Sequence, residues 1–314
     1  SPPCTTFSES GDQAGNECAV LLAELIGAAL VGQDTRSAHR AAMSTYLTGS
    51  TWKADAQDRD ARIRSAVLSA ALVDEPARFI AACRPEWVVL EQVPSVLPLW
   101  DVYACALATA GYSAWAGVLD AADYGVPQRR VRAVLIASTA HRVERPAPTH
   151  YNPRPGTQLW GQPWTTMAAA LGWGAAGRPA PTVTAGGTAA GGAEPFGHWS
   201  RDSLHAARRA GHWITRGEAG TPRPRARPTT VPGETRIGGP GHNGREHGGE
   251  SHCGRDEVRI TVAEAGVLQS FPQDYPWKGT KTQQYQQAGN AVPPLLAEHV
   301  LAMATGIARQ EAAA

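Results

Sequence analysis

The residue in this chain with the most evident chemistry is a cysteine close to its first residue. Cys4 follows Pro2 and Pro3, and each proline ring fixes the backbone φ angle near about −65°. The thiol is therefore expected in a rigid turn rather than inside a helix. A partly exposed thiolate in such a loop can act as a nucleophile, whereas a structural cysteine is usually surrounded by apolar side chains.

A carboxylate follows an apolar run further along the chain. The segment Trp87–Val93 reads Trp-Val-Val-Leu-Glu-Gln-Val, which predicts a buried parallel strand with Glu91 at its carboxyl end. Open α/β sheets bind their ligands at that end of the strands. An ordinary strand-end carboxylate in solvent is the alternative.

Two arginines precede a second apolar strand. In the segment Tyr124–Arg132, Arg130 and Arg132 lie two positions apart, so on an extended backbone both side chains point to the same face. Two guanidinium groups on one face suit an anionic or carbonyl-rich ligand. A solvated sheet edge would show the same pattern.

The C-terminal part of the chain contains a further ordered series of caps and turns. Thr261 and Glu264 have the spacing of a capping box, which predicts a helix that begins at this point. The segment Gly289–Pro294 predicts a sharp turn into a final helix over about 295–308. As pure structure, these features are a cap and a turn.

Five segments resemble, in the same order, the sequence motifs of the DNA (cytosine-5) methyltransferases. They are similar to the nucleophile motif, the Glu-Asn-Val motif, the Gln-x-Arg-x-Arg motif and the last two motifs, found here at Pro2–Cys4, Glu91–Val93, Gln128–Arg132, Arg259–Pro272 and Gly289–Pro294. The resemblance covers about residues 1–11, 71–138 and 258–308.

The resemblance implies a covalent mechanism at cytosine. Cys4 would add to C6 of the ring as a thiolate, which makes C5 able to accept a methyl group. Glu91 would supply a proton or hydrogen bond at N3, while Arg130 and Arg132 would hold the cytosine O2 and position Glu91. These atoms are inaccessible in a base stack, so the target nucleotide would be flipped out. Gln92 replaces the Asn of the family motif, which is expected to change the positioning of neighbouring groups rather than the acid itself.

The resemblance also implies S-adenosylmethionine as the methyl donor, with Pro3 and Asn290 at positions that contact it. The Gly-rich cofactor loop of the family should precede the nucleophile motif, yet only three residues precede Cys4. The glycines at 186–187 and 191–192 do not replace that loop, because no predicted helix follows to offer its N-terminus. We therefore expect a partial core, either cut short or completed by a second polypeptide that carries the first motifs.

Residues 141–256 differ in composition from the rest of the chain. They contain 14 Arg, no Lys and 8 Asp plus Glu, a balance of +6, while the remaining residues carry −5. A basic segment within an acidic chain is expected where one domain meets phosphates, although a GC-rich genome would also enrich Arg. In the family this segment is the target recognition domain, so we expect Arg223, Arg225 and Arg227, together with Gln128, to contact double-stranded DNA.

Two stretches of this segment repeat one pattern, and either is a candidate for the recognition-domain strand that the family places near the target base. They are Arg178–Val183 and Arg227–Pro232, each with a Thr-Val or Thr-Thr-Val sequence. The window Gly239–Arg255 contains three His and Cys253, but their spacings match no standard zinc site. We expect a flexible loop there and no metal.

Global properties of the chain are those of an intracellular protein. Five cysteines without the spacing of a disulfide framework favour a reducing compartment. No apolar run reaches transmembrane length and the first residues lack a signal-peptide pattern, so we expect a cytoplasmic protein without membrane contact.

The elements that must position these residues alternate between helix and strand. Helices are predicted at about 17–31, 60–82, 97–110, 261–270 and 294–308. Strands are predicted at about 86–91, 112–119 and 131–138. Such alternation indicates an α/β fold. The resemblance implies the catalytic half of a Rossmann-like, class I S-adenosylmethionine-dependent methyltransferase core in residues 1–140 and 257–314, with a small irregular target recognition domain at 141–256.

The leading hypothesis is therefore a cytosine-5 methyltransferase that acts on duplex DNA and is of restriction–modification or phage type. An RNA cytosine-5 methyltransferase would use the same motifs. A non-catalytic DNA-binding subunit would retain recognition without the cofactor half, but an intact set of Cys4, Glu91, Arg130 and Arg132 argues against such decay. A Cys/His hydrolase would need a histidine base for Cys4, and none lies near a catalytic motif.

Overall fold

The computed structural model of the protein describes residues 6–7, 13–53, 57–153, 161–184, 196, 198–215 and 260–308. The chain divides into two compact units. Unit 1 comprises Ser1–Leu119, Val131–Ala147 and Glu298–Ala314, and unit 2 comprises Asp120–Arg130 and Pro148–Ala297. This division differs from the predicted boundaries at 140 and 256, because Gln128–Arg130 of the arginine motif and the segment 260–297 group with most of the predicted recognition domain.

Unit 1 is built mainly from helices. They are α1 (Ala14–Glu17), α2 (Ala19–Leu30), α3 (Arg36–Gly49), α4 (Arg59–Ala71), α5 (Glu75–Cys83) and α6 (Leu97–Thr109). The helices predicted at about 17–31 and 97–110 are confirmed. The helix predicted at about 60–82 is interrupted by a 3-10 turn, Leu72–Asp74, and α5 then begins with a proline in its first turn. A proline in that position removes no helical hydrogen bond, so it favours a new helix start.

The sheet next to these helices has three strands. They are β1 (Trp87–Gln92), β2 (Ser113–Asp120) and β3 (Val131–Ser138), in the order β1-β3-β2. The sequence predicts all three to within two residues. β3 pairs with β1 in an antiparallel direction, with Glu91 opposite Val134. The prediction of a parallel strand for β1 is therefore wrong at this neighbour, because an apolar run indicates burial but not the direction of the adjacent strand.

The core of unit 1 joins the helices to the sheet. α6 packs on β3, where the Trp100 indole N–H donates to the Ala133 carbonyl at 3.2 Å. The hydroxyl of Tyr103 donates to the Val73 carbonyl at 2.8 Å and accepts from the Ala77 N–H at 3.1 Å. Trp100 and Tyr103 are fully buried, so their polar atoms depend on these internal partners. The resulting mixed α/β arrangement is consistent with the expected Rossmann-like core.

Unit 2 consists of short elements around a second core. Its strands are β4 (His150–Tyr151), β5 (Gln162–Pro163), β6 (Gly174–Ala175) and β7 (Trp213–Ile214), and its helices are α7 (Met167–Leu171), α8 (His198–Arg209), α9 (Val262–Leu268) and α10 (Lys281–Asn290). β4 pairs with β5 in parallel, and β6 pairs with β7 in an antiparallel direction. Strands of only two residues give this unit an irregular character.

Buried polar contacts tie the α9–α10 region of unit 2 to its core. The Tyr285 hydroxyl donates to the Ile260 carbonyl at 2.5 Å. The Trp173 indole N–H donates to the Glu264 carboxylate at 2.7 Å. Trp173, Ile260 and Tyr285 belong to one buried cluster. The segment at 260–268 is therefore an integral part of unit 2.

The helices near the C-terminus begin as the sequence predicts. The Thr261 hydroxyl accepts from the Glu264 N–H and the Glu264 carboxylate accepts from the Thr261 N–H, which confirms the capping box. The final helix, α11 (Pro294–Thr305), is also confirmed. None of the helices in the described part of the chain is long and apolar enough to cross a membrane.

Candidate active site

The segment that follows Cys4 is anchored in unit 1, although Cys4 itself lies outside the described residues. The Thr6 carbonyl accepts from the Gly15 N–H at 2.8 Å. The Phe7 carbonyl accepts from the Ser95 hydroxyl at 2.6 Å, and the Phe7 ring is buried in the core of unit 1. The chain just after the predicted nucleophile is therefore held both at α1 and at the turn that follows β1.

Gly15 permits this anchoring because α1 comes very close to the Phe7 ring. A Cβ atom at position 15 would lie 2.4 Å from the ring, well inside the carbon–carbon contact distance of about 3.5–4.0 Å. A larger residue at position 15 would displace Phe7 and the chain that precedes it. The sequence motifs gave no signal for this glycine.

Glu91 and Arg132 form an ion pair on adjacent strands. Nε of Arg132 lies 3.1 Å from Oε1 of Glu91, and the two side chains are only 14% and 13% exposed. Since Glu91 is opposite Val134, Arg132 is its diagonal neighbour on the same face of the sheet. A terminal nitrogen of Arg132 also donates to the Val131 carbonyl at 2.7 Å. The β1–β3 ladder thus brings together two of the predicted catalytic residues.

Gln92, which replaces the Asn of the resembled motif, has a structural contact. Its side chain is buried, and its Oε1 accepts from the Val93 N–H at 2.7 Å. The short 3-10 helix Pro94–Val96 begins immediately afterwards. The longer side chain therefore folds back to close the turn after β1.

Arg130 belongs to unit 2 and is held by different elements. It is buried, and a terminal nitrogen donates to the Val183 carbonyl at 3.3 Å. Its backbone N–H donates to Oδ1 of Asp120 at 3.1 Å. The same carboxylate accepts from the Ala122 N–H at 3.2 Å and forms an ion pair with Arg129. Asp120 is thus a site residue that the sequence analysis missed, although a carboxylate at the end of a strand was an available signal.

Gln128 is fully buried and bridges two distant segments of unit 2. Its amide nitrogen donates to the Leu268 carbonyl at 3.0 Å, and its amide oxygen accepts from the Val183 N–H at 2.8 Å. Because the residue is 0% exposed, it offers no surface to DNA in this structure. The geometry does not support the expected DNA contact of Gln128 and indicates a structural role.

The first of the two repeated stretches is the one that contacts the arginine motif. The Ala180 N–H donates to the Pro127 carbonyl at 2.9 Å, and the Ala180 carbonyl accepts from the Arg129 N–H at 2.8 Å. The Thr182 hydroxyl donates to the Arg129 carbonyl at 2.6 Å. These bonds form a short parallel bridge between Gln128 and Ala180. The second stretch, Arg227–Pro232, lies outside the described residues, as do the three arginines predicted to contact DNA, Arg223, Arg225 and Arg227.

Of the two predicted cofactor contacts, Pro3 lies outside the described residues and Asn290 is exposed at the end of α10. Asn290 lines an open cavity of about 570 Å³ together with Lys278, Gly279, Gln283, Gln286 and Gln287. This cavity offers amides and one ammonium group, but no carboxylate of the kind that binds ribose hydroxyls in nucleoside cofactor sites. The residues around Asn290 therefore do not by themselves fit S-adenosylmethionine.

The other cysteines in the described part of the chain are not suited to act as the nucleophile in place of Cys4, and no metal site is present there. Burial, with a smaller effect of neighbouring Glu17, raises the pKa of the Cys18 thiol to about 11, so this thiol is a poor nucleophile at neutral pH. Cys83 and Cys105 are exposed. No group of three or more His, Cys, Asp or Glu within the described ranges could hold a metal ion. The window Gly239–Arg255 lies outside those ranges.

Sequence comparison decides the family. The profile described as C-5 cytosine-specific DNA methylase matches residues 65–159 and 204–304, which is more than half of the chain. The chain belongs to this family. Eight of the predicted site residues lie within the matched ranges, namely Glu91, Gln128, Arg130, Arg132, Arg223, Arg225, Arg227 and Asn290. The resemblance drawn from the motifs is therefore confirmed at the level of the family.

Relatives of this cytosine methylase chain include several Type II methyltransferases. M.SacI from Streptomyces achromogenes is 29% identical over 260 residues, which cover 76% of this chain and 64% of that protein. M1.HphI from Haemophilus parahaemolyticus is 56% identical over 41 residues, which cover 13% of this chain and 11% of that protein. The chain thus spans less than two thirds of the length of either relative.

Solved structures with a similar chain are also methyltransferases. EhMeth from Entamoeba histolytica aligns with a TM-score of 0.42 and 13% identity over 75% of this chain and 71% of that chain. Dnmt2 from S. pombe aligns with a TM-score of 0.40 and 12% identity over 77% of this chain and 71% of that chain. Similarities at this level do not bear on the site.

Proposed function

We propose that this protein is a DNA cytosine-5 methyltransferase of the Type II restriction–modification kind. The observation that carries the proposal is the Glu91–Arg132 ion pair, with its atoms 3.1 Å apart, at two motif positions of the family. A carboxyl group beside a guanidinium, both mostly removed from water, is suited to hydrogen-bond the N3 edge of a cytosine. An ordinary solvated carboxylate does not match a Glu91 side chain that is 13% exposed.

The proposed chemistry uses the side chains of this chain in sequence. The Cys4 thiolate forms a bond to C6 of cytosine, and the electron pair of the C5–C6 double bond becomes available at C5. The protonated Glu91 carboxyl group gives N3 a proton or a hydrogen bond, which offsets the negative charge that develops on the ring, and Arg132 keeps the carboxyl group oriented. The family motif assigns Arg130 a contact with the cytosine O2. After C5 has gained the methyl group, the C5 proton passes to water and the S–C6 bond breaks, which restores the double bond and the thiolate, while any proton given to N3 returns to Glu91.

The anchored chain after Cys4 supports its role as nucleophile. Consecutive Cα atoms are about 3.8 Å apart across a trans peptide, so the Cα atoms of Cys4 and Thr6 are separated by no more than about 7.6 Å. The Ser95 hydroxyl donates to the next carbonyl, that of Phe7, just beyond the strand that carries Glu91. The described residues that follow the nucleophile motif are therefore held in the same part of unit 1 as the acid, which supports the proposed role of Cys4.

Duplex DNA is the proposed substrate. The matching family is defined by DNA methylation, and residues 141–256 carry a charge balance of +6. A cytosine within a duplex must leave the base stack before the proposed groups can reach it. S-adenosylmethionine, the donor that the family implies, supplies an electrophilic methyl group when bound, and the residues around Asn290 do not make up its whole site.

A donor-independent assay tests Cys4 and Glu91 directly. Reversible addition of a thiolate to C6 makes C5 basic, so tritium at C5 of cytosine should exchange into water without any methyl donor. The protein expressed from its native gene should release tritium from duplex DNA above the buffer rate. With S-adenosylmethionine it should form a covalent adduct on DNA containing 5-fluorocytosine, because fluorine cannot leave C5 as a proton does.

A matched pair of cysteine variants provides the control. Cys4→Ser should abolish both signals, whereas Cys83→Ser changes an exposed thiol on α5 and should keep both. Tritium release at the parental rate by the Cys4→Ser variant would contradict the proposal. Release from RNA but not from duplex DNA would contradict the proposed substrate.

A further inference from the structure

A cleft in unit 2 is lined by side chains that the proposed reaction does not use. It has a volume of about 450 Å³, and its lining includes Arg129, Asn152, Trp164, Arg178, Pro179 and Ser203. Arg129 lies between Gln128 and Arg130, whose side chains both bond to Val183. Because side chains alternate along an extended segment, Arg129 projects away from those buried partners and into the cleft.

Arg129 is held in the cleft by two contacts. Its Nε forms an ion pair with Asp120, and its guanidinium lies 4.7 Å from the centroid of the Trp164 ring. Trp164 is itself fixed, because its indole N–H donates to Asp123 at 3.0 Å. The Arg129 side chain is nevertheless 46% exposed, and its two terminal nitrogens have no partner among the described residues. It is an oriented guanidinium with open donors.

Arg178 provides a second guanidinium in the same cleft. One of its terminal nitrogens donates to the Ser203 carbonyl at 2.5 Å, and the residue is exposed. Its other side-chain nitrogens have no partner in the part of the chain that the structure describes. Pro179, the next residue, restricts the backbone of Arg178 to extended conformations. Two anchored guanidiniums of this kind match the oxygens of a phosphate group.

The surrounding charges favour a phosphodiester over a general anion. Asp120 and Asp123 offset part of the charge of the two arginines, so the cleft attracts anions only weakly at a distance. It instead offers donors in fixed directions next to an indole and a proline. A phosphodiester of DNA carries one charge and two acceptor oxygens, and its sugars can pack against the partly exposed Trp164.

We propose that this cleft binds a phosphodiester of the duplex DNA substrate through Arg129 and Arg178. The inference rests on the proposed function, which names duplex DNA as the substrate. A phosphate contact positions a protein on the duplex without reading its sequence. Because Asp120 holds both the Arg129 side chain and the Arg130 backbone N–H, the contact is linked directly to the arginine motif.

The salt dependence of DNA binding tests the cleft. Each lost phosphate contact should reduce the slope of log K against log salt by about 0.9 for B-DNA. Arg178→Ala should reduce this slope by one contact and the affinity about tenfold, as expected for a hydrogen bond between charged groups. Adding Arg129→Gln should remove a second contact. Arg178→Lys keeps the positive charge but loses the paired N–H donors of the guanidinium, so its affinity for DNA should lie between those of Arg178→Ala and the parent.

Arg209→Ala is the matched control, since Arg209 is another exposed arginine of unit 2, at the end of α8. It should change neither the slope nor methylation. If the parent protein methylates DNA but Arg178→Ala and Arg209→Ala show the same slope of log K against log salt, the proposed phosphate contact in the cleft is wrong and the proposed function stands. A parent that releases no tritium and binds no DNA would overturn the proposed function as well.

Inorganic phosphate distinguishes a DNA phosphodiester from a free anion. At constant ionic strength, added phosphate should not displace DNA from the parent protein. Displacement from the parent but not from Arg178→Ala would identify a free-phosphate site and contradict the proposal. Thermal unfolding of each variant checks that the change in binding does not come from loss of the fold.

Discussion

Two arginines that lie two positions apart in this chain are held by two different kinds of structure. Arg132 lies in β3 and reaches Glu91 across a ladder of backbone hydrogen bonds in unit 1. Arg130 lies in unit 2, where the buried Gln128 amide joins the arginine motif to Val183 and Leu268. A backbone ladder forms with many side chains, whereas a buried amide bridge exists only with glutamine at that position.

Because of this difference, substitutions at Glu91 and Gln128 should affect different properties, the first the chemistry and the second the folding. A substitution at Glu91 changes the charge of the site but leaves every hydrogen bond of the β1–β3 ladder in place. A substitution at Gln128 leaves two buried backbone groups without partners before it affects any chemistry. We therefore expect variants of Glu91 to lose activity and variants of Gln128 to lose stability.

The largest expected effect is on catalysis by unit 1. Glu91→Gln should reduce methyl transfer about 10²–10⁴-fold, the usual contribution of a general acid or base. Its thermal unfolding should stay close to that of the parent, because the ladder is unchanged. Glu86→Gln removes an exposed carboxylate next to β1 and is the matched control. Full methylation by Glu91→Gln would contradict the proposed catalytic role of Glu91.

The second expected effect is on the stability of unit 2. Gln128→Ala leaves the Val183 N–H and the Leu268 carbonyl unpaired, which should lower the free energy of unfolding by about 2–4 kcal/mol. Denaturant unfolding measures the loss, and hydrogen exchange should show faster exchange of the Val183 amide. Gln286→Ala, at a residue of α10 without a side-chain hydrogen bond among the described residues, is the control. Equal stability of the two variants would show that the bridge contributes nothing.

A smaller effect on methyl transfer is expected at Asp120, a unit 2 residue whose carboxylate holds the arginine motif in position. Asp120→Ala removes the acceptor of the Arg130 N–H and the partner of Arg129, so methyl transfer should fall about tenfold, as for one hydrogen bond to a charged group. Asp120→Asn keeps an acceptor oxygen for the Arg130 N–H and should fall less. Steady-state kinetics of both variants measure the effect. Identical losses in the two variants would show that charge, rather than backbone positioning, matters at this residue.

A further expected effect is a pH dependence of the stability of unit 1, which must be separated from effects on the chemistry. Asp74 is buried, and both carboxylate oxygens lack a partner among the described residues. Burial, aided by Glu75 and opposed by Arg36, Arg40 and Arg78, raises the pKa of Asp74 to about 6. The folded protein thus binds this proton more tightly than the unfolded chain, where the pKa is about 3.9.

The sign of this effect follows from the direction of the pKa shift. The contribution of Asp74 to stability is full below about pH 4 and is lost as the pH rises through about 6. Asp74→Asn should therefore flatten the decrease in stability between about pH 4 and pH 7. Denaturant unfolding across this range measures it, and Asp101→Asn, at an exposed carboxylate on α6, should behave as the parent does. A parental pH dependence in Asp74→Asn would contradict the assignment.

Much of the framework around the site could be predicted from local patterns. The apolar runs located β1, β2 and β3 to within two residues, and the Thr261–Glu264 spacing located the start of α9. These features depend on side-chain periodicity and capping, which act over a few residues. The break between α4 and α5 escaped prediction because the apolar pattern continues across the 3-10 turn.

The partners of the site residues could not be predicted in this way. Asp120 belongs to none of the recognised motifs, yet its carboxylate accepts a hydrogen bond from the backbone N–H of Arg130. Gln128 matched a motif and was expected to contact DNA, yet its side-chain amide forms hydrogen bonds with the backbone of Val183 and Leu268. A buried polar group takes whichever distant backbone atom the fold brings to it, and no local pattern encodes that atom.

The amino-acid sequence by itself determined the family of this chain, the strands that carry Glu91 and Arg132, and the capping box of α9. Only the tertiary structure decided that β1 and β3 run antiparallel, that Glu91 and Arg132 meet, and that neighbouring arginines of one motif belong to different units. The physical reason is the distance along the sequence over which each interaction acts. Periodicity and capping depend on residues within a few positions, whereas strand direction and buried hydrogen bonds depend on segments far apart in the chain.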